Sequence, residues 1–298
     1  MKVLISDPIA KEGIEILKKS GIEIEEKPGL PPEELIKLIP EFDGIIVRSA
    51  TKVTKDVIEA GKNLKVIGRA GVGLDNVDRE AAKSKNIKVV NTPAATSISV
   101  AELALGMMFG AARRLPQATA STKAGKWEKK KFKGFELYGK TLGIIGIGRI
   151  GNELAKRAKA IGMNVLAFDP YVESSEQAQI VDFDKLLAES DYISLHIPKT
   201  PETTHILNKA AFDKMKEGVV IINCARGGVV DEDALYEAVN SGKVRIAAMD
   251  VYEAEPAKEH KLFELEQVIV TPHIGAQTAE GQTRAGIQIA ELVRDALK

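Results

Sequence analysis

The chain alternates short runs rich in valine and isoleucine with amphipathic stretches of helical period, and this alternation occurs in two successive series. Such a pattern is typical of parallel sheets covered by helices on both faces. The first series predicts strands at residues 2–6, 22–25, 44–47, 65–68 and 88–90. The second predicts strands at 141–145, 164–168, 192–195, 219–223, 245–249 and 267–270. We therefore predict an α/β protein with two doubly wound parallel-sheet domains.

A helix predicted at residues 99–112 separates the two series, and its apolar side chains leave almost no polar face. Because such a helix must be covered nearly all round, we expect it to join the domains and to contribute to a homodimer or a higher homo-oligomer. A last helix, predicted at 278–297, is expected to return to the first domain. The predicted domains are then a discontinuous one at 1–95 and 278–298 and a continuous one at 96–277.

The composition excludes several classes of protein. The 42 basic side chains balance the 42 acidic ones, so no polyanionic partner such as nucleic acid is indicated. No apolar run of about 18 residues is present for a membrane span, and the N-terminus turns polar too early for a secretory signal. We therefore expect a cytoplasmic protein without membrane contact. The single cysteine, Cys224, excludes an internal disulfide and a cysteine-rich zinc site, and we predict no metal site.

A glycine motif of the form G-x-G-x-x-G occupies residues 146–151, between a predicted strand and a predicted helix. In that context Gly146 permits a tight turn, Gly148 lets the backbone approach a diphosphate, and Gly151 lets helix and strand pack closely. Asp169 ends the next strand, where the hydroxyls of an adenosine ribose would lie and where a carboxylate repels a 2′-phosphate. The motif therefore predicts a Rossmann domain that binds NAD rather than NADP.

A dehydrogenase must also move the proton of the substrate hydroxyl, which requires a base whose pKa lies near neutrality. Of the four histidines, His205 and His260 lie in polar stretches and are expected to be solvated. His196 ends a strand and could line a cofactor site, although a structural role is favoured. His273 directly follows an apolar strand, at the carboxyl edge of the sheet where ligands bind, and is the candidate base.

Two further strands of the second series end in charged groups. Arg226 emerges beside two glycines, where a guanidinium can hold a carboxylate with two hydrogen bonds. Three acids, Asp250, Glu253 and Glu255, follow the next strand. Either Asp250 or one of the glutamates could pair with His273 and raise its pKa.

Long motifs are distributed over essentially the whole chain. They are V-R-S-A-T at residues 47–51, G-R-A-G-V-G-L-D-N-V-D at 68–78, N-T-P at 91–93, G-K-W-E at 125–128, K-F-K-G at 131–134 and the segments at 223–231 and 271–276. Together they resemble the D-isomer-specific 2-hydroxyacid dehydrogenases. This resemblance implies a Rossmann NAD-binding domain at 96–277 and a discontinuous, flavodoxin-like substrate domain formed by the remaining residues.

The resemblance also implies a role for each strand-end residue. His273 becomes the acid/base, Glu255 its carboxylate partner, Arg226 the group that holds the substrate carboxylate, and Asp250 a contact of the nicotinamide carboxamide. The predicted cofactor-binding residues are Gly146, Gly148, Arg149, Ile150, Gly151, Asp169, Thr96, Ile197, Pro198, Cys224, Ala225, Asp250, His273, Gly275 and Ala276.

The substrate is expected to be a small phosphorylated 2-hydroxyacid. The predicted substrate-binding residues are Arg48, Ser49, Arg69, Val72, Gly73 and Asn91. Backbone N–H groups around Val72 and Gly73 can form an anion nest for the 2-carboxylate, and Arg48 and Arg69 can neutralise a distal phosphate. Within the family, the resemblance is strongest to members that oxidise 3-phospho-D-glycerate, the first step of serine synthesis.

Three alternatives differ in substrate or in class. Members that reduce glyoxylate or hydroxypyruvate share every catalytic residue, so an unphosphorylated 2-oxoacid is the main alternative. Formate dehydrogenases have glutamine where Glu255 stands, which disfavours that activity. An NAD-sensing scaffold would bind NADH without turnover. Many members that act on 3-phosphoglycerate continue into a regulatory domain, whereas this sequence stops at Lys298, so we expect no feedback inhibition by serine through such a domain.

Overall fold

The computed structural model describes residues 1–298, which form two compact units. The first unit comprises Met1–Ser97 and Ala276–Lys298, and the second comprises Ile98–Gly275. The first unit is therefore built from two separate segments of the chain. Thr96 and Ala276, which were assigned to the cofactor-binding domain, belong to the first unit by this division.

Twelve strands and eleven α-helices alternate along the chain. The strands are β1 (Lys2–Ile5), β2 (Glu23–Glu26), β3 (Gly44–Val47), β4 (Val66–Arg69), β5 (Lys88–Asn91), β6 (Thr141–Ile145), β7 (Asn164–Phe168), β8 (Gln179–Ile180), β9 (Tyr192–Leu195), β10 (Val219–Asn223), β11 (Val244–Met249) and β12 (Val268–Val270). The helices are α1 (Lys11–Lys19), α2 (Pro32–Leu38), α3 (Lys55–Ala60), α4 (Arg79–Ser84), α5 (Ser97–Arg113), α6 (Leu115–Lys123), α7 (Arg149–Ala160), α8 (Phe183–Glu189), α9 (Lys209–Lys214), α10 (Glu232–Asn240) and α11 (Ala279–Leu297). Short 3-10 helices occupy Ile39–Glu41, Lys129–Phe132 and Lys261–Glu264. None of the helices is long and apolar enough to cross a membrane.

The sheet of the first unit has five strands in the order β2-β1-β3-β4-β5, and every neighbouring pair is parallel. This is the order of flavodoxin-like doubly wound sheets. All four residues of β3 are buried, as expected for a central strand with helices on both faces. The carboxyl ends of the strands therefore lie along one edge, where the predicted substrate residues end β4 and β5 or follow β3 and β4.

Helix α11 is an integral part of the first unit. Its buried residues, among them Ile289 and Val293, belong to the same apolar cluster as β1 and α1. The two helices approach so closely that a Cβ atom on Gly13 would lie 2.3 Å from the carbonyl oxygen of Gly286. Because only glycine fits that contact, the C-terminal helix is fixed against the N-terminal one.

The sheet of the second unit has seven parallel strands in the order β12-β11-β10-β9-β6-β7-β8. The chain proceeds from β6 towards one edge and then returns to add β9 to β12 on the other side. This is the strand order of a Rossmann fold, in which ligands bind where the direction reverses, between β6 and β9. The two-residue strand β8 was not predicted, because it is too short to produce a sequence pattern.

Helix α5 packs within the second unit through small and flexible apolar side chains, including Ala101, Ala104 and Met108. Another side of this helix is less covered. Ile98 and Phe109 remain 40% and 41% exposed, so a single chain covers only part of this helix.

Candidate active site

The glycine turn lies at the reversal point of the Rossmann sheet. Gly146 has a φ of +92°, and a Cβ atom there would lie 2.7 Å from both the carbonyl oxygen of His196 and the side chain of Ile197. A Cβ on Gly151 would lie 2.2 Å from the carbonyl oxygen of Gly146. These two glycines therefore permit close packing. Gly148 differs, because a Cβ there would meet no atom within 4 Å, which leaves open space beside the turn.

The start of α7 and the end of β7 supply the polar groups of this space. No side chain caps the first N–H groups of α7, which begins at Arg149. Asp169 lies beside the turn, where its carboxylate accepts hydrogen bonds from the backbone N–H groups of Ile147 (3.1 Å) and Tyr171 (3.0 Å). Uncapped N–H groups beside open space fit a diphosphate, and the nearby carboxylate fits ribose hydroxyls. The residues present therefore fit a dinucleotide.

The other predicted cofactor residues differ in burial. Thr96 is buried, and its hydroxyl has no hydrogen-bond partner in the protein. Ile150 and Ile197 are partly buried against apolar clusters, whereas Pro198 is exposed. An unpaired buried hydroxyl such as that of Thr96 is uncommon in proteins and is consistent with a ligand that completes its bonding.

The side chains of His196 and Cys224 are unreactive, and for His196 a structural role is the one that the sequence favoured. The Nε2 atom of His196 lies 2.9 Å from the hydroxyl of Ser194, and burial lowers the pKa of the ring to about 4. Burial also raises the pKa of the Cys224 thiol, whose sulfur lies 3.5 Å from that of Met107. Since only a thiolate is a good nucleophile, Cys224 is unsuited to covalent catalysis. No group of three or more histidine, cysteine or acidic side chains is arranged to hold a metal ion.

His273 and Glu255 form a hydrogen-bonded pair at the carboxyl edge of the Rossmann sheet. Nδ1 of His273 lies 2.7 Å from Oε2 of Glu255, and this hydrogen bond raises the pKa of the histidine above its ordinary value of 6.5. Burial tends to raise the pKa of Glu255, but the hydrogen bonds from His273 and from the backbone N–H of Tyr252 outweigh it and lower that pKa. Because Nδ1 is used for this pair, Nε2 is the nitrogen available to a substrate hydroxyl.

The turn around His273 is held by a buried carboxylate. Asp250 is fully buried and accepts hydrogen bonds from the backbone N–H groups of Ile274 and Gly275, both at 2.8 Å. The sequence left open which acid pairs with His273. In the structure Glu255 makes that contact, while Asp250 fixes the backbone on the far side of the histidine.

The turn that carries Arg226 is fixed by Asn223, a buried residue that the sequence analysis missed. The Asn223 side chain accepts from the N–H of Ala225 (3.1 Å) and donates to the carbonyl oxygen of Arg226 (3.0 Å). A polar residue at the end of the apolar run 219–222 was the available signal. The guanidinium of Arg226 lies close enough for its charge to act on both His273 and Glu255.

The Arg226 turn also abuts the loop after β11. A Cβ atom on Gly227 would lie 1.7 Å from the carbonyl oxygen of Tyr252. Glycine is therefore required for the backbones of these two loops to approach each other. Three predicted catalytic residues, Arg226, Glu255 and His273, are thus brought together within the second unit from three different strand ends.

In the first unit, the loop after β3 carries Arg48 and Ser49, and its backbone is hydrogen-bonded to two polar side chains. The buried Asp7 accepts from the backbone N–H groups of Arg48 (2.6 Å) and Thr51 (3.1 Å). Asn76 donates from its side chain to the carbonyl oxygens of the same two residues, both at 2.7 Å. Neither Asp7 nor Asn76 was predicted as a site residue. The loop is therefore rigidly held, with the side chain of Ser49 exposed.

The other predicted substrate residues of this unit lie at the end of β4, on the loop that follows it and at the end of β5. The guanidinium of Arg69 folds over Gly71, where a Cβ would lie 1.5 Å from Nη1. Asn91, at the end of β5, donates from its side chain to the carbonyl oxygen of Val72 (2.6 Å). Asn91 therefore supports the predicted anion-binding loop around Val72 and Gly73 in addition to any contact with substrate.

His260 is not the solvated residue that its polar neighbours suggested. Its side chain is only 18% exposed, and its Nε2 atom lies 2.8 Å from Oε2 of Glu232. The ring also lies against those of Tyr252 and Phe263. The prediction was wrong because the partner lies on another element, which local sequence does not reveal. His205 is more exposed and contacts Glu253 at 3.0 Å.

The chain is similar to known proteins along its whole length. A family model described as "D-isomer specific 2-hydroxyacid dehydrogenase, NAD binding domain" matches residues 105–275. A "Hydroxypyruvate reductase" from Thermotoga maritima is 54% identical over 296 residues, which are 98% of this chain and 97% of that protein. A "D-3-phosphoglycerate dehydrogenase" from Archaeoglobus fulgidus is also 54% identical over 296 residues, 98% of this chain. The aligned part is 56% of the Archaeoglobus protein, so this chain spans little more than half of its length.

A solved structure gives the same picture of the fold. The glyoxylate reductase structure from "Paecilomyes thermophila" superposes with a TM-score of 0.92 at 33% identity. The superposition covers 100% of this chain and 95% of that one.

Proposed function

Because the chain belongs to the D-isomer specific 2-hydroxyacid dehydrogenase family, with an NAD-binding domain in its second unit, we propose that it oxidises 3-phospho-D-glycerate to 3-phosphohydroxypyruvate. The observation that carries the proposed chemistry is the contact between His273 and Glu255 at 2.7 Å, beside Arg226. A histidine whose pKa is raised by a carboxylate, at the carboxyl edge of a Rossmann sheet, is suited to exchange a proton with a substrate hydroxyl.

The proposed mechanism assigns one task to each of the three residues. The residues around the glycine turn would hold NAD, which when bound would supply the acceptor for the hydride of C2 of the hydroxyacid. Neutral His273 accepts the hydroxyl proton at Nε2, and Glu255 stabilises the imidazolium that forms. Arg226 holds the substrate carboxylate through paired hydrogen bonds. In the reducing direction, protonated His273 returns the proton from the same nitrogen.

The proposed cofactor contacts use the groups around the glycine turn. Backbone N–H groups of Arg149 and Ile150 hold the diphosphate beside Gly148, and Asp169 accepts from the ribose hydroxyls. Thr96, Ile197, Pro198, Cys224, Ala225, Gly275 and Ala276 complete the proposed set. Asp250 would also contact the carboxamide of the nicotinamide. This would add one hydrogen bond to a carboxylate that already accepts from the backbone N–H groups of Ile274 and Gly275.

The proposed substrate assignment depends on the first unit. Arg48 and Arg69 would neutralise the phosphate of 3-phosphoglycerate, with Ser49 and Asn91 as further contacts and the Val72–Gly73 backbone as a second site for the carboxylate. The similarity to a phosphoglycerate dehydrogenase over 98% of this chain supports it. The second candidate is reduction of hydroxypyruvate, favoured by an equally similar relative that is also 54% identical over 296 residues.

Steady-state kinetics with three 2-oxoacids at the same NADH concentration separates these candidates. We expect kcat/KM for phosphohydroxypyruvate to exceed the values for hydroxypyruvate and glyoxylate by at least about 100-fold, since two or more charged hydrogen bonds are involved. A preference for either unphosphorylated acid would replace the phosphate assignment with the second candidate. Tight NADH binding without turnover of any of them would instead identify a scaffold.

We also propose that the protein assembles as a homodimer or a larger homo-oligomer. Apolar side chains between residues 98 and 138 remain exposed, including Leu115 (52%), Trp127 (87%) and Tyr138 (76%). Together with the partly uncovered face of α5, they provide apolar surface that a second copy of the chain would cover.

A further inference from the structure

We infer that Glu232, a residue outside the proposed catalytic set, positions the proton-transfer pair by anchoring the loop that carries Glu255. The inference rests on the proposed role of His273 and Glu255, and it concerns how that pair is held in place. Glu232 is the first residue of α10 and is only 7% exposed.

Glu232 and Glu253 bind each other's backbone in a reciprocal arrangement. Oε1 of Glu232 accepts from the N–H of Glu253 at 2.8 Å. In return, the carboxylate of Glu253 accepts from the N–H of Glu232 at 3.4 Å and contacts Nε2 of His205 at 3.0 Å. These contacts attach the loop after β11 to the start of α10, two residues before Glu255.

The second oxygen of Glu232 accepts a hydrogen bond from His260, a half-buried histidine of defined tautomer. Nδ1 of His260 accepts the backbone N–H of Leu262 at 3.2 Å, so the ring carries its proton on Nε2. That proton is donated to Oε2 of Glu232, at 2.8 Å. Burying a carboxylate is costly unless its oxygens are hydrogen-bonded, and the helix start favours negative charge. Glu232 meets both conditions, so its burial is compatible with an anchoring role.

The anchored segment leads directly to the proton-transfer pair through Tyr252. The backbone N–H of Tyr252 donates to Oε1 of Glu255 at 3.0 Å, and the Tyr252 hydroxyl donates to the carbonyl oxygen of Thr271 at 3.0 Å. Burial raises the pKa of Tyr252 to about 12, so the hydroxyl keeps its proton. Tyr252 thus links the loop of Glu255 to the loop of His273. Release of the neighbouring backbone at Glu253 would therefore loosen the contact between Glu255 and His273.

The test compares Glu232→Ala and Glu232→Gln with Asp233→Asn, a matched control at the next, exposed position of α10. Each variant is assayed with the 2-oxoacid that the wild type reduces fastest. We expect Glu232→Ala to lower kcat about tenfold. Displacement of a catalytic group by about 1 Å can cost ~100-fold, and a smaller displacement is expected here. The Kd for NADH should stay within about twofold of the wild-type value. Glu232→Gln keeps an oxygen that can accept from the Glu253 N–H, so its kcat should lie between those of the wild type and Glu232→Ala. Asp233→Asn should have the kcat of the wild type.

The pH profile distinguishes positioning from general loss of stability. Reduction requires protonated His273, so its rate falls as pH rises through the pKa of that group. In Glu232→Ala this fall should move to lower pH, because a looser Glu255 raises the pKa of His273 less. The other charged groups that face His273, Asp250 and Arg226, are unchanged in every variant.

The outcomes separate the inference from the proposed function. If His273→Asn is inactive but Glu232→Ala keeps the wild-type kcat and pH profile, the inference is wrong and the proposed function stands. If His273→Asn remains fully active, the proposed function fails. Should Glu232→Ala not fold, His260→Ala and Glu232→Gln replace it. Each of them must shift the profile to lower pH, and an unchanged profile in either one overturns the inference.

Discussion

At the level of single residues, His273 stands out because its backbone and its side chain are both constrained. Its φ of +52° lies in the left-handed region, which costs a residue other than glycine about 1–3 kcal/mol. Two hydrogen bonds to Asp250 hold the following residues, and Glu255 holds the ring. The surrounding structure thus offsets the strain and fixes the imidazole in one orientation.

Replacement of His273 tests its role as acid and base. Asparagine is suitable because it tolerates left-handed backbone better than most residues. We expect His273→Asn to lower kcat by about 100-fold to 10,000-fold, the usual contribution of a general acid or base, while NADH still binds. Steady-state kinetics and a fluorescence titration with NADH provide the two measurements. Retained turnover combined with lost NADH binding would contradict the assignment.

The pKa of His273 predicts the direction of the pH dependence. Oxidation requires the neutral ring, so its rate should rise with pH through a pKa above the ordinary 6.5. Glu255→Gln removes the charge that raises this pKa. The rise in oxidation and the fall in reduction should both move to lower pH, together with a lower kcat. Profiles of kcat/KM against pH in both directions measure the shift, and profiles identical to wild type would exclude Glu255 as the partner.

At the level of secondary-structure elements, the turn between β6 and α7 contains glycines with different purposes. Gly151 allows the helix to contact the turn, since a Cβ there would lie 2.2 Å from a carbonyl oxygen. Gly148 has no such neighbour and faces the space that fits a diphosphate. Folding and cofactor binding should therefore be separable within one motif.

Two alanine substitutions test this separation. Gly151→Ala overpacks the junction and should destabilise the fold by about 1–3 kcal/mol, measured as a lower Tm. Gly148→Ala should leave Tm unchanged but weaken NADH binding at least about tenfold, because the added methyl group would occupy the space of the diphosphate and move it away from the backbone N–H groups, and each hydrogen bond to a charged group that is lost costs about 1.5–3 kcal/mol. The proposed division would be wrong if Gly148→Ala lowered Tm and bound NADH normally.

At the level of the whole molecule, the exposed apolar side chains predict self-association. We expect light scattering coupled to size-exclusion chromatography to give the mass of a dimer or a larger assembly. Leu115→Glu combined with Trp127→Glu should shift the protein towards monomer, because it places charge on surface that would be buried. Tyr171→Glu is the control, since this residue is 93% exposed but lies outside residues 98–138. A wild-type monomer at assay concentrations would refute the prediction.

The sequence alone determined the architecture and the glycine turn of the NAD-binding domain, because both depend on local patterns. The predicted strands at 141–145, 164–168, 192–195 and 219–223 agree with β6, β7, β9 and β10 to the residue. Runs of β-branched residues encode a buried parallel strand directly, and the spacing of three glycines encodes the turn and the helix start. Strand β8, with two residues, had no comparable pattern.

Only the tertiary structure decided how the charged residues are paired. Glu255 and His273 are 18 positions apart, and Glu232 and His260 are 28 apart. Asp250, Glu253 and Glu255 appear as equivalent acids in the sequence, yet the first holds a turn, the second is tied to α10 and the third meets the histidine. These differences arise because each carboxylate is oriented by loops from other strands, and the packing of those loops is not encoded in any local segment.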